Sequence, residues 1–107
     1  MIEKTTWTYQ VDLFISGPLS DARPIIRREC LREGLCVTAE PTTFIYTGGE
    51  EVGYKVSLRN YPRFPCTNQK LRDRAIDLAK KLLYDTYQHS VMIVTPEETI
   101  WLTERDQ

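Results

Sequence analysis

Histidine occurs once in this chain, at position 89, and cysteine three times, at positions 30, 36 and 66. Any Ser/His/Asp set would have to use His89, and that residue falls at the end of a helical stretch, where a positive charge suits the helix dipole. No grouping of histidine, cysteine and carboxylate has metal-ligand spacing, so neither a metal nor a cofactor is expected. Three cysteines without a pairing motif exclude a disulfide framework and point to reduced thiols in the cytoplasm. Long apolar runs are missing too. Val91–Val94 is typical, which is far too short to span a membrane. The N-terminus lacks the basic start and long apolar segment of a signal peptide. Internal repeats, linkers and low-complexity tracts are absent.

What is present suits one globular unit. The 107 residues are 41% hydrophobic, enough for the core of a single domain over 1–107. The net charge of −1 argues against a general nucleic-acid binder. The charge is uneven, however: Lys55 to Lys81 holds eight bases and two acids, which leaves that segment at +6.

Periodicity supplies the elements. Thr5–Ser16 alternates, with Trp7, Tyr9, Val11, Leu13 and Ile15 on one side, as in a half-buried strand. Gly17-Pro18 breaks it. From about Leu19 to Glu33, Leu19, Ala22, Ile26 and Cys30 share one helical face, with the helix starting at Pro18 or Asp21 because proline suits only its first turn. Gly34 supplies a left-handed stop. Leu35–Thr47 reads as an edge strand, since it contains Pro41. Gly48–Glu51 is a hairpin turn, and Val52–Tyr61 alternates again, with Val52, Tyr54, Val56 and Leu58 inward. Thr67 or Asn68 caps a second helix running to about Gln88, with a core stripe of Leu71, Ala75, Leu78 and Leu82. Val91–Val94, the turn Thr95–Glu98 and Thr99–Thr103 complete the chain. The order gives an α+β, ferredoxin-like βαββαβ sandwich with a short extra C-terminal strand and both helices on one face of an antiparallel sheet.

That layout leaves the other sheet face bare, carrying Gln10, Asp12, Phe14, Lys55, Ser57 and Arg59. Most of these are polar, and Asp12 is placed to pair with Lys55 or Arg59. Leu13–Leu19 looks like the first signature of RNA-recognition motifs. The second signature fails on parity, because Tyr54 shares a side with Val56 and Leu58 and so leaves too few stacking platforms. Cys66 and Arg72 have the Cys-x5-Arg spacing of tyrosine phosphatases, but the glycine-rich cradle and flanking residues are missing. Arg23 follows strand 1 as an arginine does in acylphosphatases, with different spacing. No catalytic set is therefore assigned.

The stretch RNYPRFPC (59–66) remains. Its prolines stiffen the approach to the second helix, and Tyr61 or Phe64 is expected to fold beneath as a plug on the core. Arg59 and Arg63 stay wet. A rigid aromatic-arginine loop also has hot-spot chemistry. A second apolar row on helix 2, with Ile76, Leu83, Tyr84 and Tyr87, exceeds what one sheet face needs. The tracts CLREGLCVT (30–38), TFIYTGGEE (43–51) and NYPRFP (60–65) resemble small proteins of tailed bacteriophages and prophages. That resemblance covers most of the chain and implies an accessory protein that binds a host factor.

The expectation is a non-enzymatic interaction domain, homodimeric or otherwise self-associating. Its protein-binding surface comprises Arg59, Tyr61, Arg63, Phe64, Arg72, Ile76, Leu83 and Tyr87. The alternatives are a nucleic-acid or phosphate-ligand site on Arg59, Arg63, Lys70, Arg72 and Arg74, and a Cys66-dependent phosphatase.

Overall fold

Alternating apolar residues fix which way each strand faces, and the computed structural model, which describes residues 1–105, follows that alternation through one sheet. The elements are β1 (Gln10–Ser16), α1 (Leu19–Arg32), β2 (Val37–Tyr46), β3 (Gly49–Arg59), α2 (Asn68–Asp85), β4 (Ser90–Val94) and β5 (Thr99–Thr103). The sheet order is β2-β3-β1-β4-β5, and every neighbouring pair is antiparallel. This is the ferredoxin-like α+β layout with the fifth strand added beside β4. Val11, Leu13, Ile15, Tyr54, Val56, Leu58, Val91 and Ile93 are buried beneath Leu71, Ala75, Leu78 and Leu82 of α2 and Ala22, Ile25 and Ile26 of α1. No described helix is long and apolar enough to cross a membrane.

Local chemistry accounts for the boundaries. The Thr67 hydroxyl accepts a hydrogen bond from the Lys70 amide at 3.1 Å and caps α2. β2 is an edge strand, so Pro41 costs it no interior ladder bond. The β2–β3 turn is tighter than expected: Tyr46 pairs with Gly49, which leaves only Thr47 and Gly48 between the strands.

Several expectations are corrected. β1 begins at Gln10, and Trp7 lies outside the core, 85% exposed, because the sheet neighbours that would cover it start later. Val52 is also exposed, since the long β2–β3 hairpin carries it beyond the helices. α1 begins directly after Pro18, the first of the two expected starts, and therefore carries Pro24 in its second turn rather than its first. Both Pro24 and Ser20, whose carbonyl would have received the missing N–H, are exposed, so that carbonyl is not an unpaired group shut away from solvent. α1 stops without a left-handed glycine: Glu33 is extended, with its amide donating to the Glu29 carbonyl at 3.3 Å, and Gly34 has no positive φ. α2 ends at Asp85, just before Tyr87 takes a φ of +58°.

Candidate functional site

Two surfaces hold the candidate functional side chains. The first is the sheet face without helices. The strand register aligns Glu40, Lys55, Phe14, Met92 and Trp101 in one row across all five strands. At one end of that face Phe14, Ser16, Phe44, Glu51, Met92 and Trp101 line a cleft of about 350 Å³, with Gln88, His89 and Arg105 among its other walls. The Ser16 hydroxyl donates to Glu51 Oε1 at 2.8 Å and fixes the carboxylate at the hairpin side. Phe44 can lie flat there only because Gly53 has no side chain: a Cβ would meet the Phe44 ring and lie 2.6 Å from the Ile15 carbonyl oxygen. The rest of the face is tied by polar contacts. Asp12 accepts from Ser57 at 2.6 Å and Gln10 at 2.9 Å, and Lys55 lies 4.0 Å from Asp12 and 3.7 Å from Glu40. The face is therefore less solvent-like than Gln10, Asp12, Phe14, Lys55, Ser57 and Arg59 imply. Met92 and Trp101 were legible by the same parity rule carried into β4 and β5; Phe44 and Glu51 needed the hairpin register.

The second surface is the Arg59–Cys66 loop with the start of α2. Tyr61 and Phe64 face each other at 6.1 Å between ring centroids and are 42% and 45% exposed, so neither plugs the core. Arg63 lies over the Phe64 ring at 5.7 Å. Asn60, which the sequence did not single out, does the anchoring. It is buried, its Nδ2 donates to the Trp7 carbonyl at 2.7 Å and to Thr6, and its Oδ1 accepts from the Cys66 amide at 3.1 Å. Its amide supplies donors and an acceptor together, which an aromatic plug cannot.

The basic segment is largely paired. Lys70 lies 3.0 Å from Glu33, Arg72 is 2.9 Å from Glu98, and Lys81 is 2.6 Å from Glu29. Arg74 is buried rather than wet, with Nη1 and Nη2 donating to the Gly34 and Glu33 carbonyls. Arg72 does not line the cleft that Cys66 shares with Arg59 and Arg74, so the Cys-x5-Arg spacing does not place Cys66 and Arg72 round one phosphate.

On α2, Ile76 is half-buried against the core and Leu83 is 8% exposed. Leu83 is thus a core residue rather than a surface one, because α1 and the sheet close over it. Tyr84 and Tyr87 remain open to solvent. No group of three or more histidine, cysteine or carboxylate side chains that could hold a metal occurs among the described residues.

No family model matches the chain, and no curated protein matches it. Solved structures do. A phage SAM lyase in its apo state superposes with a TM-score of 0.69 at 14% identity, covering 100% of this chain and 99% of that one. A phage SAM lyase in complex with S-methyl-5'-thioadenosine gives 0.66 at 13% identity over 96% and 95%. These neighbours come from phage, like the small proteins that the tracts at 30–38, 43–51 and 60–65 resemble, and what this chain shares with them is the fold along its whole length.

Proposed function

We propose that this protein binds S-adenosylmethionine on its helix-free sheet face and cleaves it as a lyase, working as a homo-oligomer. The observation that carries this reading is the composition of the 350 Å³ cleft: three aromatic rings and a methionine around one carboxylate, Glu51. A sulfonium cation joined through a ribose to a flat base calls for such surroundings, since aromatic faces attract cations and stack on bases. The volume lies at the lower end of small-molecule sites. Arg105 at the rim suits the substrate's own carboxylate. The names of the fold neighbours support the choice of substrate; fold alone would not, because one fold hosts many activities.

In such a reaction the bond from sulfur to the aminobutyryl chain breaks. Its electron pair passes to sulfur, which becomes neutral and leaves as S-methyl-5'-thioadenosine. The four-carbon fragment either closes on itself, its own carboxylate oxygen forming the new bond to the carbon that sulfur leaves, or gives up a proton from the neighbouring carbon to water as a C=C bond forms. Because the positive charge disappears along this path, Glu51 stabilises the bound substrate more than the transition state. Incubation with S-adenosylmethionine and chromatography should reveal S-methyl-5'-thioadenosine. Glu51→Gln should raise KM roughly tenfold and raise kcat rather than lower it, so that kcat/KM falls by less than KM rises. Absence of both binding and product would remove the reading.

A second reading is favoured by the exposed pair Tyr61 and Phe64 beside Arg63: a non-enzymatic domain that binds a protein through that loop and the open tyrosines of α2. Under it, changes at Arg63 and Tyr87 abolish partner capture while S-adenosylmethionine has no effect.

A further inference from the structure

The two edges of the sheet are β2 and β5. An edge strand exposes unpaired backbone groups, and proline or lysine on it blunts pairing with another chain. β2 carries Pro41. β5, Thr99-Ile100-Trp101-Leu102-Thr103, carries neither. Its backbone phase follows from the bonds at its two ends. The Thr95 amide donates to the Glu98 carbonyl and the Glu104 amide to the His89 carbonyl, each at 2.9 Å. Bonding direction alternates along an antiparallel strand, so Ile100 and Leu102 turn their N–H and C=O groups to β4. Thr99, Trp101 and Thr103 turn theirs to the open edge, where no further strand lies among the described residues. The side chains alternate too: Ile100 and Leu102 pack against the core, while Trp101 is half exposed on the other face.

We infer that β5 pairs antiparallel with β5 of a second copy about a two-fold axis at Trp101, joining the two sheets into one. The strand itself selects this occupant. It reads nearly alike in both directions, so the axis sets Thr99 opposite Thr103, Ile100 opposite Leu102 and Trp101 opposite its own copy. Opposed residues share a face, so the aliphatic side chains meet on the helix side and the Trp101 rings on the other. In this register every outward backbone group of both strands finds a partner. A shift of two residues carries Thr99 or Thr103 past the end of the facing strand, and a shift of one turns every side chain to the wrong face. Charge agrees with the pairing. Arg105 of one copy reaches the turn at 95–98 of the other, which carries Glu97 and Glu98. Glu104 falls opposite Glu98, whose charge Arg72 already offsets at 2.9 Å.

A strand of five residues falls short of the about 800 Å² that a standard interface buries on each partner. The remainder comes from α2. Its Arg72 meets Glu98 beside β5, whereas Arg74 and Lys81 meet Glu29 of α1, so Ile76, one turn after Arg72, lies on the β5 side. Tyr84 lines a cleft with Glu104, just past β5, and is open to solvent. The β2–β3 hairpin is at the opposite edge of the sheet and stays free. The pairing gives the self-association proposed above a surface and rests on that part of the reading alone.

The test follows amide hydrogen exchange by NMR on the full-length protein at several concentrations, beside sedimentation. The Thr99, Trp101 and Thr103 amides should slow as concentration rises, while Ile100 and Leu102 are slow throughout because β4 holds them. Thr99→Pro removes an outward N–H at the first residue of an edge strand, where proline costs the monomer least. It should weaken association at least about tenfold. Thr99→Ala keeps the N–H and should sediment like the wild type. Outward amides whose exchange ignores concentration, unchanged sedimentation of Thr99→Pro, or equal weakening by Thr99→Ala would each overturn the pairing. Thr99 lies outside the sheet-face cleft, so absence of S-adenosylmethionine cleavage removes the lyase reading without touching this one.

Discussion

Glu29 sits in the last turns of α1 and is only 3% exposed, although glutamate is rarely buried without partners. Its partners are Arg32, Lys81 at 2.6 Å and Arg74 at 3.5 Å. The Arg32 hydrogen bond, aided by Lys81 and opposed by burial, holds its carboxyl down at about 2. A carboxylate whose folded value lies below its unfolded one contributes stability that is present above about pH 4.5 and lost as pH falls towards 2. Thermal melts between pH 6 and pH 2 should therefore show a loss that Glu29→Gln largely removes. At neutral pH that variant should itself be destabilised by about 3 kcal/mol, because it leaves Lys81 and Arg74 short of a counter-charge. A flat difference between the two proteins across the acid range would show that Glu29 does not titrate with folding. Gly53 is the other residue whose role is steric. Gly53→Ala should cost about 1–3 kcal/mol, read from urea midpoints, because the Ile15 backbone cannot move aside and the Phe44 ring must leave the sheet face.

At the scale of elements, the connection from β3 to α2 is held at its two ends by side-chain hydrogen bonds. Thr67 caps the helix, and Asn60 ties the loop to the segment before β1 through Trp7 and Thr6. Asn60→Ala should cost about 1–3 kcal/mol, with faster hydrogen exchange at the Cys66 amide, whose acceptor is lost. An unchanged exchange rate there would mean that the prolines alone hold the loop. The rule that reads a proline as a helix start fails at Pro24 for a related reason. Exposure of the affected turn, not sequence position, decides what a missing N–H costs.

The whole molecule is elongated, 50 Å by 29 Å by 24 Å, and the β2–β3 hairpin puts Ile45, Tyr46 and Val52 in solvent. Exposed apolar residues on a projecting hairpin suit contact with a second copy, as the proposed homo-oligomer requires. Ile45→Asp should shift the sedimentation of the protein towards the monomer without changing its melting temperature by more than a degree or two. If sedimentation is unaltered, association uses another surface, with Tyr84 and Tyr87 on α2 the next to change.

The sequence by itself determined the element order, the edge position of the Pro41 strand, a cap at Thr67 or Asn68 and the faces of β1 and β3, because each follows from a local rule: a period, a missing N–H, a polar side chain before a helix. Of the sheet-face cleft it placed Phe14 alone, by parity. Tertiary structure alone decided the rest. Which of Leu83 and Tyr87 is buried depends on where α1 and the sheet reach, and neither neighbour is encoded in the period of α2. Burial of Glu29 and Arg74 depends on four charged groups, these two with Arg32 and Lys81, meeting from two helices. The convergence of Phe44, Glu51, Met92 and Trp101 depends on the register of two hairpins far apart in the chain, and register is fixed only when the strands pair.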